Sequence, residues 1–217
     1  MLITISGMSG SGKSTASKGV SDALGIPTVD VGQIFRAMAK RYGMEVTDFG
    51  KYVERHPEID RKLDDEMIRQ ARRKKNLILQ GRLAGWMTYL RKLPAIRIWI
   101  GASLKVRARR VAGREGRTYA ETLRQVDRRD RENRARYRRT YGLDVNDLSV
   151  YDIVVQTDNL TLEEVVSSLV KTLKVWTKNS RMKRKTKKRP SPKRLRPSKR
   201  WPKKPLRKKL PQSRSSR

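Results

Sequence analysis

GMSGSGKST, residues Gly7 to Thr15, decides the fold. Gly7 to Ser14 spells G-x-x-x-x-G-K-[ST], a loop that wraps phosphate. Phosphate oxygens need many N–H donors close together, so the backbone must surround them and bulky side chains must stay away. Glycine supplies both the unusual dihedrals and the close approach. The helical pattern starting at Lys13 aims its N-terminal amides and positive dipole end at the anion. In this reading Gly7, Met8, Ser9, Gly10, Ser11, Gly12, Lys13, Ser14 and Thr15 cradle a nucleoside triphosphate. Lys13 reaches the β- and γ-phosphates, and the Ser14 hydroxyl is a ligand for Mg²⁺. A dinucleotide loop, G-x-G-x-x-G, fits worse. Gly10-Ser11-Gly12 continues into Lys, Ser and Thr, and the third glycine is missing.

The flanks of the loop set the architecture. Before it lies the apolar run Leu2–Ser6. Further runs rich in Ile, Val and Leu follow at Pro27–Val31, Asn76–Gln80, Ala95–Ile100 and Tyr151–Gln156. Such runs suit strands buried on both faces. Between them lie stretches of helical length: Lys13–Leu24, Gly32–Tyr42, Thr47–Arg55, Ile59–Lys74, Leu104–Glu115, Tyr119–Tyr141 and Leu162–Trp176. Thr161 followed by Glu164 reads as a capping box for the last of these. The alternation predicts an α/β domain with a five-stranded parallel sheet and helices on both faces.

Composition narrows the class. The chain of 217 residues has no cysteine and a single histidine, which removes disulfides, thiolate metal sites and His-rich centres. No apolar run is long enough to span a membrane, and the N-terminus lacks a signal-peptide pattern, so a cytoplasmic protein without membrane contact is expected. The net charge is +33. Of the 54 Lys and Arg residues, 20 lie in 178–217, a segment without Asp or Glu that also holds six of the nine prolines. Residues 1–177 thus carry 34 basic against 21 acidic residues, a net +13. The stretch 177–217 reads as a disordered Lys/Arg/Pro-rich tail, since it cannot bury a core.

What accepts the phosphate must be read from the arginines. No N-K-x-D guanine signature occurs. In VDVGQIFRAM (29–38), Arg36 sits one turn into a helix after a strand. In LILQGRLAGW (77–86), Arg82 follows a strand end directly. Ligands of parallel sheets bind beyond the carboxyl ends of the strands, so both are placed to hold an anion. In residues 106–139, Arg107, Arg110 and Arg114 share one helical face, and Arg129, Asn133 and Arg136 share another. Two arginine-bearing helices joined by GREGRT read as a mobile lid that neutralises charge and excludes water. A solvated helix pair, or an RNA-binding face, is the alternative.

Together these residues resemble the nucleoside monophosphate kinases, most closely the cytidylate kinases of archaeal type. The carrying motifs are ITISGMSGSGKST, VDVGQIFR, HPEIDRKLD, LQGRLAGWM, VRARRVAGREG, RYRRTYGLDVNDLSVYDIVVQTDN and EEVV, spread over residues 2 to about 175. The resemblance implies transfer of the ATP γ-phosphate to CMP or dCMP within a kinase domain of residues 1–176. It implies NMP-binding helices at about 32–75, a lid at about 107–140 and a monomer. It sets Asp30, Arg36 and Arg82 toward the monophosphate, and Arg107, Arg110 and Arg114 toward the lid and the transferring phosphate. Arg129 and Arg136 complete the CMP side. Two positions depart from the family pattern. Gln80 stands where an acid helps hold the Mg²⁺ water shell, and Asn133 replaces an acid on the lid helix.

The remaining residues get plainer readings. His56, before Pro57, is a capping or surface residue, because transfer to a phosphate acceptor needs little base catalysis. Trp86, Trp99 and Trp176 fall in or beside apolar runs and are packing residues. The competing function is a nucleic-acid-associated P-loop protein. Its support is the basic tail, which attracts RNA or DNA nonspecifically, with Trp201 available for stacking.

Overall fold

The computed structural model describes residues 1–183, of which Met1–Lys178 form one compact unit. Five strands occur among the described residues: β1 (Leu2–Ser6), β2 (Thr28–Asp30), β3 (Leu77–Gln80), β4 (Ile96–Gly101) and β5 (Ile153–Gln156). Eight helices accompany them: α1 (Lys13–Leu24), α2 (Val31–Arg41), α3 (Val46–Arg55), α4 (Pro57–Arg73), α5 (Ala84–Leu90), α6 (Leu104–Glu115), α7 (Tyr119–Tyr141) and α8 (Leu162–Lys183). All strand pairs are parallel, in the order β2-β3-β1-β4-β5. The expected α/β sheet is therefore present.

Alternation along the central strands builds two cores. Leu77, Leu79 and Trp99 face one cluster with Met67 and Ile68 of α4, Trp86 and Met87 of α5, and Tyr137 of α7. Ile78, Ile98 and Ile100 face the other, with Ile3 and Ile5 of β1, Val20 of α1, and Leu169 and Leu173 of α8. Successive strand side chains point to opposite faces, so every residue of such a strand must be apolar or internally paired. The expectation that all five strands are buried on both faces fails at the edge. Val154 of β5 is 45 % exposed, because an outer strand has neighbours on one side only. A third, smaller cluster of Phe49, Val53, Ala39 and Ile59 holds α2, α3 and α4 together.

Boundaries follow local chemistry. Thr161 and Glu164 form the capping box, with Thr161 N donating to Glu164 Oε2 (2.7 Å) and Glu164 N to Thr161 Oγ1 (3.2 Å). Thr118 and Ser103 cap α7 and α6. α8 continues to Lys183, seven residues past Trp176, so the break in composition does not end the helix. The tail expectation for 184–217, Trp201 included, lies outside the described residues. Helix α5 is absent from the sequence reading. It is seven residues long and buried over Ala84–Thr88, so no polar face marks its period. Trp86 and Trp99 are core residues, and Trp176 packs against the second cluster. His56 joins α3 to α4 as C-cap and N-cap and pairs with Glu58 Oε1 at 3.1 Å.

Candidate active site

β1 runs through the middle of the sheet, with β3 on one side and β4 on the other, so the loop after Ser6 opens where the strand order reverses. Gly7 presses against the Ile100 carbonyl, where a Cβ has no room. Gly10 (φ 79°) and Gly12 (φ 90°) occupy the left-handed region, and Gly12 is the N-cap of α1. No side chain caps that helix, so its first N–H groups face the loop without an internal partner. Met8 packs against the first core cluster.

Lys13 lies at the start of α1, its Nζ donating to Met8 O at 3.3 Å. Its pKa is pushed down to about 7, first by burial and then by the charge of Arg82. Asp30 opposes that lowering, while Arg114 and Arg129 add to it. Arg129 is lowered from its own usual range by desolvation and then by Arg82, with Glu115 and Asp130 opposing and Arg114 adding to it. Residues from α1, the β3–α5 turn, α6 and α7 thus converge electrostatically on one spot. Among the described residues, the Arg82 and Arg129 guanidiniums have no hydrogen bond or ion pair to protein, which leaves them for an anion.

Around that spot the remaining predicted residues divide. Asp30 caps α2, accepting from Gly32 N at 2.8 Å, and its other oxygen lies 3.6 Å from Arg36. It orients Arg36, whose side chain is 56 % exposed. Arg114 projects into solvent beside Glu115 (2.8 Å). Arg136 sits deeper, between Asp60 Oδ2 (3.7 Å) and Asn133 Oδ1 (3.4 Å), with its guanidinium against the Phe35 and Tyr137 rings. Asn133 turns its amide back to the Arg129 carbonyl.

Two of the three arginines grouped on α6 are not open to a ligand in this arrangement. Arg107 is buried, and its guanidinium is taken by Ala102 O (3.0 Å), Ser9 O (3.1 Å) and Asp130 Oδ2 (2.6 Å). Arg110 donates to Ser11 O (3.4 Å), Thr157 Oγ1 (2.9 Å) and Thr157 O (2.6 Å). A helical stripe in the sequence cannot separate these from Arg114, because the partners come from distant segments. Asp130 and Thr157 were missed for the same reason. The one available signal for Thr157 is its place just past the end of β5.

Gln80, at the end of β3, donates through Nε2 to Ser14 Oγ at 2.8 Å. Among the described residues no group of three or more His, Asp or Glu side chains gathers to hold a metal, and no helix is long and apolar enough to cross a membrane. On α4, Asp64 accepts the Tyr141 hydroxyl, and its carboxyl is pushed up to about 7 by burial.

Comparison with known proteins agrees with this geometry. Residues 2–159 match the model of the cytidylate kinase-like family. The cytidylate kinase of Pyrococcus horikoshii is 44 % identical over 165 residues, 76 % of this chain and 84 % of that protein. The cytidylate kinase of Pyrobaculum aerophilum is 41 % identical over 166 residues, 76 % of this chain and 89 % of its own length. Two solved structures share the fold. An uncharacterized protein from Eubacterium ventriosum has a TM-score of 0.60 at 19 % identity, with 80 % of this chain and 98 % of that one covered. Shikimate kinase from Aquifex aeolicus has a TM-score of 0.54 at 23 % identity, with coverages of 82 % and 98 %. With a glycine loop ending in Gly-Lys-Ser at the centre of a parallel sheet, and with that breadth of match, the chain belongs to the cytidylate kinase-like family of P-loop kinases.

Proposed function

We propose that this protein transfers the γ-phosphate of ATP to CMP or dCMP, giving CDP or dCDP. The observation that carries the proposal is the convergence of Lys13, Arg82, Arg114 and Arg129 beyond the strand ends. Four cations from four separate segments repel one another; Asp30, Glu115 and Asp130 offset part of that repulsion, and a multiply charged anion would offset the rest. The names of the Pyrococcus and Pyrobaculum relatives support cytidine monophosphate as the acceptor.

In this reading the loop amides of Gly7–Thr15 bind the donor triphosphate. Arg36, oriented by Asp30, and Arg82 hold the acceptor phosphate, while Arg129 and Arg136 complete the acceptor side. Residues 32–75 serve as the acceptor-binding helices and about 107–140 as the lid. Phosphoryl transfer needs little covalent help from protein, so alignment and charge neutralisation supply most of the rate. Lys13 follows the γ-phosphate as it moves, and Arg114 swings in from α6 when the lid closes and expels water. Anionic phosphates restore the Lys13 proton that burial and Arg82 weaken in the free protein.

Mg²⁺ fits as an ion held chiefly by nucleotide phosphates, because Ser14 offers one hydroxyl and no carboxylate cluster stands nearby. Bound there it offsets charge on the phosphate oxygens. Gln80 offers a neutral amide that donates to Ser14 Oγ and brings no negative charge to the ion, so a weaker hold than a carboxylate would give is expected. A coupled assay with ATP, Mg²⁺ and a panel of CMP, dCMP, UMP, AMP and GMP tests the proposal. Turnover confined to the cytidine monophosphates supports it, and preference for a purine acceptor ends it.

A second activity has its own observation, the 20 basic and no acidic residues of 178–217. Such a segment binds RNA or DNA through counterion release, without base readout. Truncation after Lys183, where α8 ends, keeps kinase activity and removes most polyanion binding if this holds.

A further inference from the structure

The crest of the glycine loop is gripped from outside by α6. A trans peptide is planar, with its carbonyl and its N–H pointing in opposite directions, and no cis bond occurs among the described residues. Arg107 Nη1 fixes the Ser9 carbonyl toward α6. The Gly10 N–H, on the same peptide, is thereby turned away from α6. Two peptides further on, Ser11 O accepts from Arg110 Nη1 and from Thr157 Oγ1 at 3.3 Å, which turns the Gly12 N–H the same way. The backbone is pressed close as well. A Cβ on Gly10 would stand 2.7 Å from the Arg107 carbonyl oxygen. Arg107 itself cannot slide, because Ala102 O and Asp130 Oδ2 of α7 hold the rest of its guanidinium.

We propose that Arg107 is a positioning residue for the donor triphosphate. It sets the loop peptides so that their N–H groups line the cradle, and Asp130 holds it in register. The inference rests on Gly7–Thr15 being a phosphate cradle, and is independent of which monophosphate accepts. It also reassigns Arg107 from touching the transferring phosphate to shaping the loop that does.

The full-length protein tests it by calorimetry with ATP and with CMP, alongside ¹H–¹⁵N spectra of the Gly10 and Gly12 amides during addition of tripolyphosphate. Arg107→Lys keeps a charge for Asp130, but one ammonium cannot span three oxygens as a guanidinium fork does. ATP binding should weaken about tenfold or more, CMP binding should change less than about twofold, and the two amides should lose their shift with tripolyphosphate. Asp130→Asn leaves the Ser9 bond in place and should cost ATP affinity less than about threefold. Equal ATP losses in the two variants would reduce Arg107 to a tie between α6 and α7. An unchanged ATP affinity in Arg107→Lys overturns the proposal outright. Should that variant fail to fold, the double variant R107M/D130L removes both buried charges together. It is expected to fold and show the same ATP loss, and retained affinity there also overturns the proposal. A wild-type protein that binds no ATP fails the cradle reading, whereas a wild-type kinase with an indifferent Arg107→Lys fails only this inference.

Discussion

Two sets of arginines face the glycine loop, and their surroundings differ. Arg107 and Arg110, on the α6 side, spend their donors on protein oxygens at 2.6–3.4 Å. Arg36 and Arg114 stand 56 % and 64 % exposed, each beside one carboxylate, while Arg129 is desolvated and feels Arg82 and Arg114 against Glu115 and Asp130. A guanidinium tied down on several sides has no capacity left for a ligand, so it can only shape the site. One left among like charges raises the energy of the empty site and lowers it when an anion arrives. The same residue type thus performs two kinds of work, and the partner oxygens decide which.

The sharpest way to break this contrast is Lys13, the cation of the open set that burial and Arg82 push furthest from its usual range. Lys13→Met should lower kcat by about 10²-fold or more, since it removes a charge that follows the moving phosphate. The same change should raise the thermal midpoint of the free protein at pH 7, because it removes a cation that is penalised first by burial and then by Arg82, Arg114 and Arg129, with Asp30 offsetting only part. Lost activity with a lowered midpoint would mean that Lys13 is structural.

Next in size come Arg36 and Arg82. Alanine at either should raise the KM for CMP about tenfold or more while the KM for ATP moves little, and lysine should rescue only in part. Steady-state kinetics with each substrate varied in turn separates the two. An ATP effect larger than the CMP effect would put these arginines on the donor side. A smaller change is expected at Gln80. Gln80→Asp places a carboxylate beside Ser14, and the Mg²⁺ concentration for half-maximal rate should fall severalfold. An unchanged Mg²⁺ dependence would show that the ion does not sense this position.

Much of the fold was legible because local chemistry and tertiary context agree. β1, α1, α6 and α7 have the bounds read from sequence, each marked by an apolar run, a cap or a helix-ending glycine. Helix α5 escaped because a short helix buried all round carries no 3.6-residue signal. At the site, the loop spelled itself out in Gly7–Ser14. The division among arginines did not, because Arg107 is defined by Ser9, 98 residues away, and Arg110 by Thr157. Spacing along one helix records which residues share a face and not what that face meets.

The smallest expected effect sets the open cluster against the closed α4–α7 face through pH. Lys13 titrates near 7 in the folded protein, below its ordinary 10.5, so between those values the unfolded chain holds more protons and stability rises with pH. Asp64 is the reverse case. Burial lifts its carboxyl to about 7 from 3.8, helped by Asp60 and Asp65 and opposed by the Tyr141 hydrogen bond and by Arg91. Between about 4 and 7 the folded protein therefore holds more protons, and the Asp64 contribution is lost as pH rises through that window. These two groups together produce a dip in stability near neutrality, deepest in the nucleotide-free protein. Urea unfolding from pH 5 to 9.5 should show it. Asp64→Asn, which keeps an acceptor for Tyr141, should flatten the acid limb, and Lys13→Met the basic limb. Saturating ATP should also flatten the basic limb, since phosphates beside Lys13 hold its proton. Parallel pH curves for wild type and both variants would remove Lys13 and Asp64 as the source of any dip.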